Sequence, residues 1–503
     1  MLAATACTPS APAVPTAVPA KPAEATKPAA SPVVASPATV ASPAASPAAS
    51  PSPAATVASP AASPVASPAA SASPSASPSP VTVAPAPSSS SDPAGRITGT
   101  FTLPNVPIAQ FQNATMPGSV QNDRGMLLGG IGSDMWRGAN DAPGEFWVIT
   151  DRGPNGQIRV DGANRRTFPI PEFAPAILRV KADGAQLSVV ESMAIVGQSG
   201  KPVTGLSNVE GYDEVPYDFT AGQRVPYNAS GLDAEGLVRT RAGEFWVAEE
   251  YSPSIARIGP TGKVEKRYIP QGVKLEGADY PVADTLPAIY GKRKQNRGFE
   301  GLAISADEKT LYVALQSPLL NPDTPTGNAS RNTRILAFDI AGERVTAEYP
   351  YRFEPAVEFD PKAKGAPEEM KVSGIVALAP DTLMILERTD WVARLYTVQM
   401  SPATNIAGGK WADPATSPTL ESLADPASAD VKVLPKSLVI DLSTLPGMPD
   451  KIEGVSIIDR STIAVINDND FDIGDFDAAG NNVGKAAKTT VLTISLARPL
   501  PLP

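Results

Sequence analysis

The sequence predicts an all-β fold, a β-propeller of six blades, carried behind a long disordered tether rich in Pro, Ala and Ser. Three observations predict it. Five segments share one plan: a glycine with a small or acidic neighbour, a short apolar strand, a turn and a second strand. The second strands, EFWVIT, EFWVAEE, TLYVALQ, TLMILER and TIAVIND, mix aromatic with aliphatic residues and end in polar ones. Ahead of them, residues 8–93 are nearly all Ala, Pro, Ser, Thr and Val in SPAAS-like units.

From the N-terminus, MLAATACTPS holds Cys7, the one cysteine of the chain. A small-residue run ending in cysteine and followed by a Pro/Ser stretch is expected to be a shortened lipoprotein signal, residues 1–7, with Cys7 as the lipidated residue. Only six residues precede Cys7, too few for a basic region and an apolar core. Between Thr8 and Ser91 only Lys21, Glu24 and Lys27 are charged, and no apolar periodicity offsets the entropy of ordering. Such a tether, at ~3.1 Å per residue, reaches on the order of 250 Å when extended.

Residues 94–503 are long enough for a large core and are expected to form the propeller domain. Without Lys21, Glu24 and Lys27, 40 basic residues face 51 acidic ones, a balance that disfavours nucleic acid and suits cations. There is no histidine. That removes Ser-His-Asp catalysis and His-ligated zinc, leaving carboxylates, a metal-activated water, lysine or tyrosine to run any hydrolysis.

The repeats begin at Leu127, Asp233, Phe299, Ser373 and Ile452, with RAGE, ADEK and APD as tight turns. A sixth blade is expected between Ile158 and Tyr227. Three repeats open on Glu-Gly, at Glu235, Glu300 and Glu453; the first, GGIGSDMW, lacks the glutamate. The innermost strand of a propeller blade starts at one mouth of the channel, so these three glutamates are expected to converge there. Like charges that close repel unless a cation lies among them. Oxygen ligands without histidine or thiolate suit calcium. The second strands end in further oxygen donors: Asp151, Glu249, Glu250, Gln316, Glu387, Asn467 and Asp468. Glu249 or Asp468 is expected to act as general base. The competing reading makes the Glu-Gly carboxylates latches between blades, each paired with an arginine.

Two loops add charge. YGKRKQNRGF carries Lys292, Arg293, Lys294 and Arg297 just ahead of Glu300; Lys292 and Arg297, with Arg388 of LERTDW, are expected to bind an anionic substrate. NDNDFDIGDFDAAGN has the alternating aspartates of an EF-hand, but Gly474 falls one place late and no closing glutamate follows. It reads as an acidic loop at the channel mouth.

DAEGL…GEFWVAEEYSPSIARI, NRGFEGLAIS…LYVALQSPL, the ILER strand and EGVS…INDNDF together resemble the phytase-like family of bacterial envelope proteins, described as having esterase-like activity. The resemblance covers nearly all of the chain after the tether. It implies a propeller fold, export and phosphoester or ester hydrolysis. The expected function is therefore a surface-tethered, calcium-dependent hydrolase of phosphomonoesters or related esters. Its partner would be a small anionic or ester substrate, and the membrane would be reached only through a lipid on Cys7. The chain is expected to be a monomer on the outer face of a bacterial envelope, or secreted. A gluconolactonase-like lactone hydrolase and a non-catalytic binding propeller are the alternatives.

Overall fold

The computed structural model describes residues 95–502. The expected tether and the lipidation residue Cys7 lie outside the described residues. Five antiparallel four-stranded units follow one another along the chain. The first comprises Asp134–Trp136, Glu145–Ile149, Ala176–Asp183 and Gln186–Ala194. The second comprises Ala234–Arg239, Phe245–Glu249, Ser254–Ile258 and Val264–Pro270, with Val282–Leu286 added in parallel at its edge. The third is Phe299–Ile304, Thr310–Leu315, Asn332–Asp339 and Arg344–Arg352. The fourth is Lys371–Ala379, Thr382–Arg388, Ala393–Gln399 and Lys436–Asp441. The fifth is closed by the start of the described chain: Ile452–Asp459, Thr462–Asn467 and Thr490–Leu496 take Gly95–Thr102 as their outer strand.

The first strand of each unit packs on the first strand of the next, and the fifth returns to the first. The result is an all-β, propeller-like ring of five units, where the sequence reading expected six. The segment from Ile158 to Tyr227 supplies the two outer strands of the first unit, plus a small sheet of Gly156–Val160, Ala163–Thr167 and Pro216–Tyr217. Two strands of that sheet are inserted between the second and third strands of the first unit and the last follows its fourth, which stretches the repeat spacing to a length that reads as an extra blade.

Side-chain alternation explains why the second strands are apolar throughout. A strand residue and its neighbour point to opposite faces of a sheet, and here both faces are buried. Phe245 and Val247 enter the apolar core shared with the first unit, while Trp246 and Ala248 enter the core shared with the third. Leu383 and Ile385 divide from Met384 and Leu386 in the same way. Each of the five interfaces between neighbouring units has its own apolar core.

The glycine of each Glu-Gly or Ser-Gly step has a packing reason. A Cβ on Gly236 would lie 2.6 Å from the Glu300 carbonyl oxygen, and one on Gly374 would lie 2.9 Å from that of Glu453. Only glycine lets neighbouring inner strands approach so closely. The first unit, without Glu-Gly, uses Asp134 instead: its buried carboxylate accepts the Leu237 N–H at 2.9 Å and ties it to the second unit. No helix among the described residues is long and apolar enough to cross a membrane.

Candidate active site

All five units send side chains into one polar cavity of about 150 Å³. The second strand of each unit delivers the residue just after its last interface side chain. These are Asp151, Glu250, Gln316, Arg388 and Asp468, and every one lines the cavity. The inner strands add Glu235, Glu300 and Glu453. One carboxylate oxygen from each of these three glutamates lies within 4.8 Å of the others. The convergence expected of the Glu-Gly repeats is present.

Arginine pairing is present as well, but not for all three. Arg388, buried in the fourth unit, pairs with Glu453 and lies 3.5 Å from Glu300. Ser373, which stands where the other inner strands have glutamate, donates to Glu300 at 3.0 Å and accepts from Arg388 Nε at 2.8 Å. The Gln316 amide donates to the other Glu300 oxygen. Burial, then the negative charges of Glu300, Asp151, Glu250 and Asp233, hold Glu235 well above the usual carboxylate range. Glu300 is raised too, by burial and then by Glu453.

The expected base Glu249 does not reach the cavity. Its side chain points into the interface between the first two units, where it accepts from Arg267 and Ser254 at 2.7 Å each and from the Asp233 N–H at 3.0 Å. It is a latch, and its neighbour Glu250 faces the cavity instead. Strand alternation is the reason: Glu249 shares the face of Phe245 and Val247. Burial, followed by the charge of Glu300, pushes Glu250 up to about 8. Glu387 and Asn467 hold the corresponding latch positions, accepting from Tyr351 and Lys436 and from the Thr490 N–H respectively.

Asp468 does line the cavity, 3.2 Å from Lys451 Nζ, which also pairs with Asp470. Asp472, the third aspartate of the EF-hand-like run, turns away to accept the backbone N–H groups of Lys485, Ala486 and Ala487. Of the basic loop, Arg297 reaches the cavity. Lys292 is exposed on a short 3-10 turn and is not part of the lining, so its expected role in substrate binding is corrected. Arg293 pairs with buried Asp213. The loop turns back at its apolar Ile289 and Tyr290, which are buried in the core, and only its far end returns to the mouth.

The sequence reading missed a further set two residues before the Glu-Gly or Ser-Gly step: Asp233, Lys371 and Lys451. Alternation puts them on the same face as Glu235, Ser373 and Glu453, which was the available signal. Asp233 is buried and accepts from Arg152 at 2.7 Å. Lys371 pairs with Asp390 at 2.5 Å, and burial followed by the charges of Arg388 and Arg297 brings it down to about 8.

The ring of antiparallel units thus gathers carboxylates opposite arginines and lysines at its mouth. The chain belongs to the phytase-like family, described by the esterase-like activity of phytase, whose model matches residues 128–471. It is 27% identical over 285 residues to an uncharacterized secreted protein of Arthroderma benhamiae, a match covering 49% of this chain and 56% of that protein. The chain thus spans about half the length of that curated relative. Among solved structures it is similar to a calcium-binding protein, regucalcin, from Agrobacterium tumefaciens, with 10% identity, a TM-score of 0.31 and coverage of 74% and 92% of the two chains. It is also similar to the PQQ-bound aldose sugar dehydrogenase of Streptomyces coelicolor, with 12% identity, a TM-score of 0.29 and coverage of 75% and 97%.

Proposed function

We propose that the chain is a five-bladed propeller hydrolase that cleaves phosphomonoesters or related anionic esters at the channel mouth with a divalent cation, calcium by its ligand chemistry. The observation that carries this reading is the approach of Glu235, Glu300 and Glu453 oxygens to within 4.8 Å of one another in a cavity also lined by Arg297, Lys371, Arg388 and Lys451. The donors suit such an ion. They are hard oxygens, and Gln316 Oε1, buried in the lining, has no hydrogen-bond partner among the described residues.

Glu235, Glu300 and Glu453 would hold the cation, with Gln316 as a neutral fourth oxygen. Bound there, it would neutralise charge on the substrate oxygens and favour loss of a proton from water. The chain's own groups do the rest. Arg297 and Lys371 orient the anionic group, and Arg388 keeps Glu300 and Glu453 fixed. Glu250, raised toward neutrality, takes the proton of the attacking water; a base works best with a pKa near the working pH. Asp468, expected as a base, is instead held by Lys451 and serves to position it. The secreted relative supports action outside the cell.

The test is phosphate release from phytate and p-nitrophenyl phosphate by EDTA-treated protein, with and without added calcium. Calcium-restored release, abolished in Glu300→Gln, is the expected result. No release from either substrate in either condition would overturn phosphoester hydrolysis and move lactones and uncharged esters to the front.

A further inference from the structure

We infer that the mouth holds two divalent cations, the second on Asp151, Asp233 and Glu235, with Glu235 shared between the two positions. The inference rests on the metal-dependent reading above and deepens it. One oxygen from each of these three carboxylates lies within 4.8 Å of the others, a second cluster that meets the first at Glu235.

Three observations set it apart from an ordinary group of acids. Asp233 is 1% exposed, and its Oδ1 has no hydrogen-bond partner among the described residues. Arg152 takes only the other oxygen, Oδ2, at 2.7 Å. A bare carboxylate oxygen in such a place carries a desolvation cost that a cation removes. Second, a carboxylate oxygen of Asp151 lies within 4.8 Å of one of Asp233, and neither residue pairs with a lysine among the described residues. Two ionised carboxylates that close repel, and a cation between them turns the repulsion into attraction. Third, Asp151 is already held in place: its Oδ1 accepts the Arg152 N–H, and Asn155 Nδ2 lies 3.4 Å from its Oδ2. A ligand fixed by its own backbone loses little freedom on binding an ion.

Charge points the same way. Asp151, Asp233, Glu235, Glu250, Glu300 and Glu453 gather at the mouth with the guanidinium groups of Arg152, Arg166, Arg297 and Arg388, of which Arg166 is paired with Glu214. Arg388 is committed to the Glu300 and Glu453 side. On the Asp151 side Arg152 pairs with Asp233, and Asp151 and Glu235 form no ion pair among the described residues. Pairs of cations that share a carboxylate sit about 3.5–4 Å apart in hydrolytic sites, a spacing a single bridging glutamate provides.

The experiment is calcium binding to the full chain after EDTA treatment, followed by isothermal titration calorimetry, with Mn²⁺ electron paramagnetic resonance as the second readout. The wild type is expected to bind two calcium ions, and two equivalents of Mn²⁺ should give a spin-coupled pair. Asp233→Asn and the milder Asp151→Asn should each bind one ion, with an uncoupled six-line Mn²⁺ signal. Glu453→Gln should also bind one, and Glu235→Gln should weaken both at least tenfold. Near-UV circular dichroism identifies any variant that fails to fold, and Asp151→Asn, which leaves the Arg152–Asp233 pair intact, then decides. One calcium in the wild type that survives Asp151→Asn would overturn the second position and leave the proposed function standing. One calcium lost in Asp151→Asn but kept in Glu453→Gln would overturn the shared centre and the ligand set assigned to the hydrolase. No calcium bound at all would overturn both.

Discussion

The two sides of the channel mouth are built from the same strand positions and carry opposite charge. The residue that the end of the second strand delivers to the cavity is Asp151 or Glu250 in the first two units and Arg388 in the fourth. Two places before the Glu-Gly or Ser-Gly step stands Asp233 in the second unit, but Lys371 and Lys451 in the fourth and fifth. The fold therefore fixes where a side chain enters the cavity, and the residue type fixes the chemistry on that side. The sides also differ in how their charges are satisfied. On the basic side Lys371 meets Asp390 at 2.5 Å, Lys451 meets Asp468 at 3.2 Å, and Arg388 pairs with Glu453. On the acidic side Asp151, Asp233, Glu235 and Glu250 are all pushed up, by burial first. The basic side brings cations of its own, whereas on the acidic side Asp151, Glu235 and Glu250 form no ion pair among the described residues.

The largest effect should come from breaking the basic side. Arg388→Met leaves Glu300 and Glu453 buried without their counter-charge, a loss of the kind that costs about 3–5 kcal/mol. Urea denaturation of the metal-free variant should show that loss. Calcium should return part of it, because a cation among Glu235, Glu300 and Glu453 supplies the missing charge. A metal-free variant as stable as wild type would mean that the two sides do not differ in the way described.

Next come two neighbouring glutamates. Glu250→Gln should lower kcat about 100-fold or more, the range for loss of a general base, with little change in stability. Glu249→Gln should do the reverse. It weakens a fully buried pair with Arg267, a charged hydrogen bond that contributes about 1.5–3 kcal/mol, and should spare kcat. Steady-state kinetics beside thermal melts of both variants separates the roles.

That pair also shows how far the sequence could be read. The Glu-Gly step marked Glu235, Glu300 and Glu453, and they do converge, because a repeated motif places equivalent residues around one axis. The choice between Glu249 and Glu250 turned on strand parity. From Phe245 to Ala248 the strand is apolar at every position before Glu249 and Glu250, so hydrophobic pattern alone assigns no face to either. Parity could have been counted from Phe245, but only once both faces of the strand were known to be buried. Lys292 was misplaced for another reason: a loop's charge says nothing about which of its residues the neighbouring core turns inward. Asp233, Lys371 and Lys451 differ in charge, so no shared motif announced them. The unit count failed where an inserted sheet lengthened the first repeat.

The acidic side makes a smaller, pH-dependent prediction. Asp233 and Glu250 are pushed up to about 8, while an unfolded chain releases those protons near pH 4. Between these values the folded protein binds more protons than the unfolded one. The stability of metal-free protein must therefore fall as pH rises through that window. Melting curves at pH 5, 6, 7 and 8 should show the fall, and saturating calcium should flatten it by taking the protons' place. A flat metal-free profile would mean that the carboxylates already have counter-charges.

The smallest effect belongs to Lys371, the one basic-side group that titrates near neutrality. Burial, followed by the charges of Arg388 and Arg297, brings it down to about 8. Below that pH it is an ammonium facing the cavity, and above it a neutral amine. An anionic ester should then bind more weakly as pH rises from 7 to 9, with KM increasing roughly tenfold, as expected when about 1.4 kcal/mol of charge attraction is lost. Lys371→Arg should keep KM low across the range, since a guanidinium holds its proton. Lys371→Met should show the high KM at every pH. An uncharged ester makes no use of the ammonium, and its KM should stay level in all three proteins. Comparing p-nitrophenyl phosphate with p-nitrophenyl acetate across this range therefore reports whether the basic side recognises the substrate's charge or only braces Asp390. The second outcome would show as parallel profiles for the two substrates.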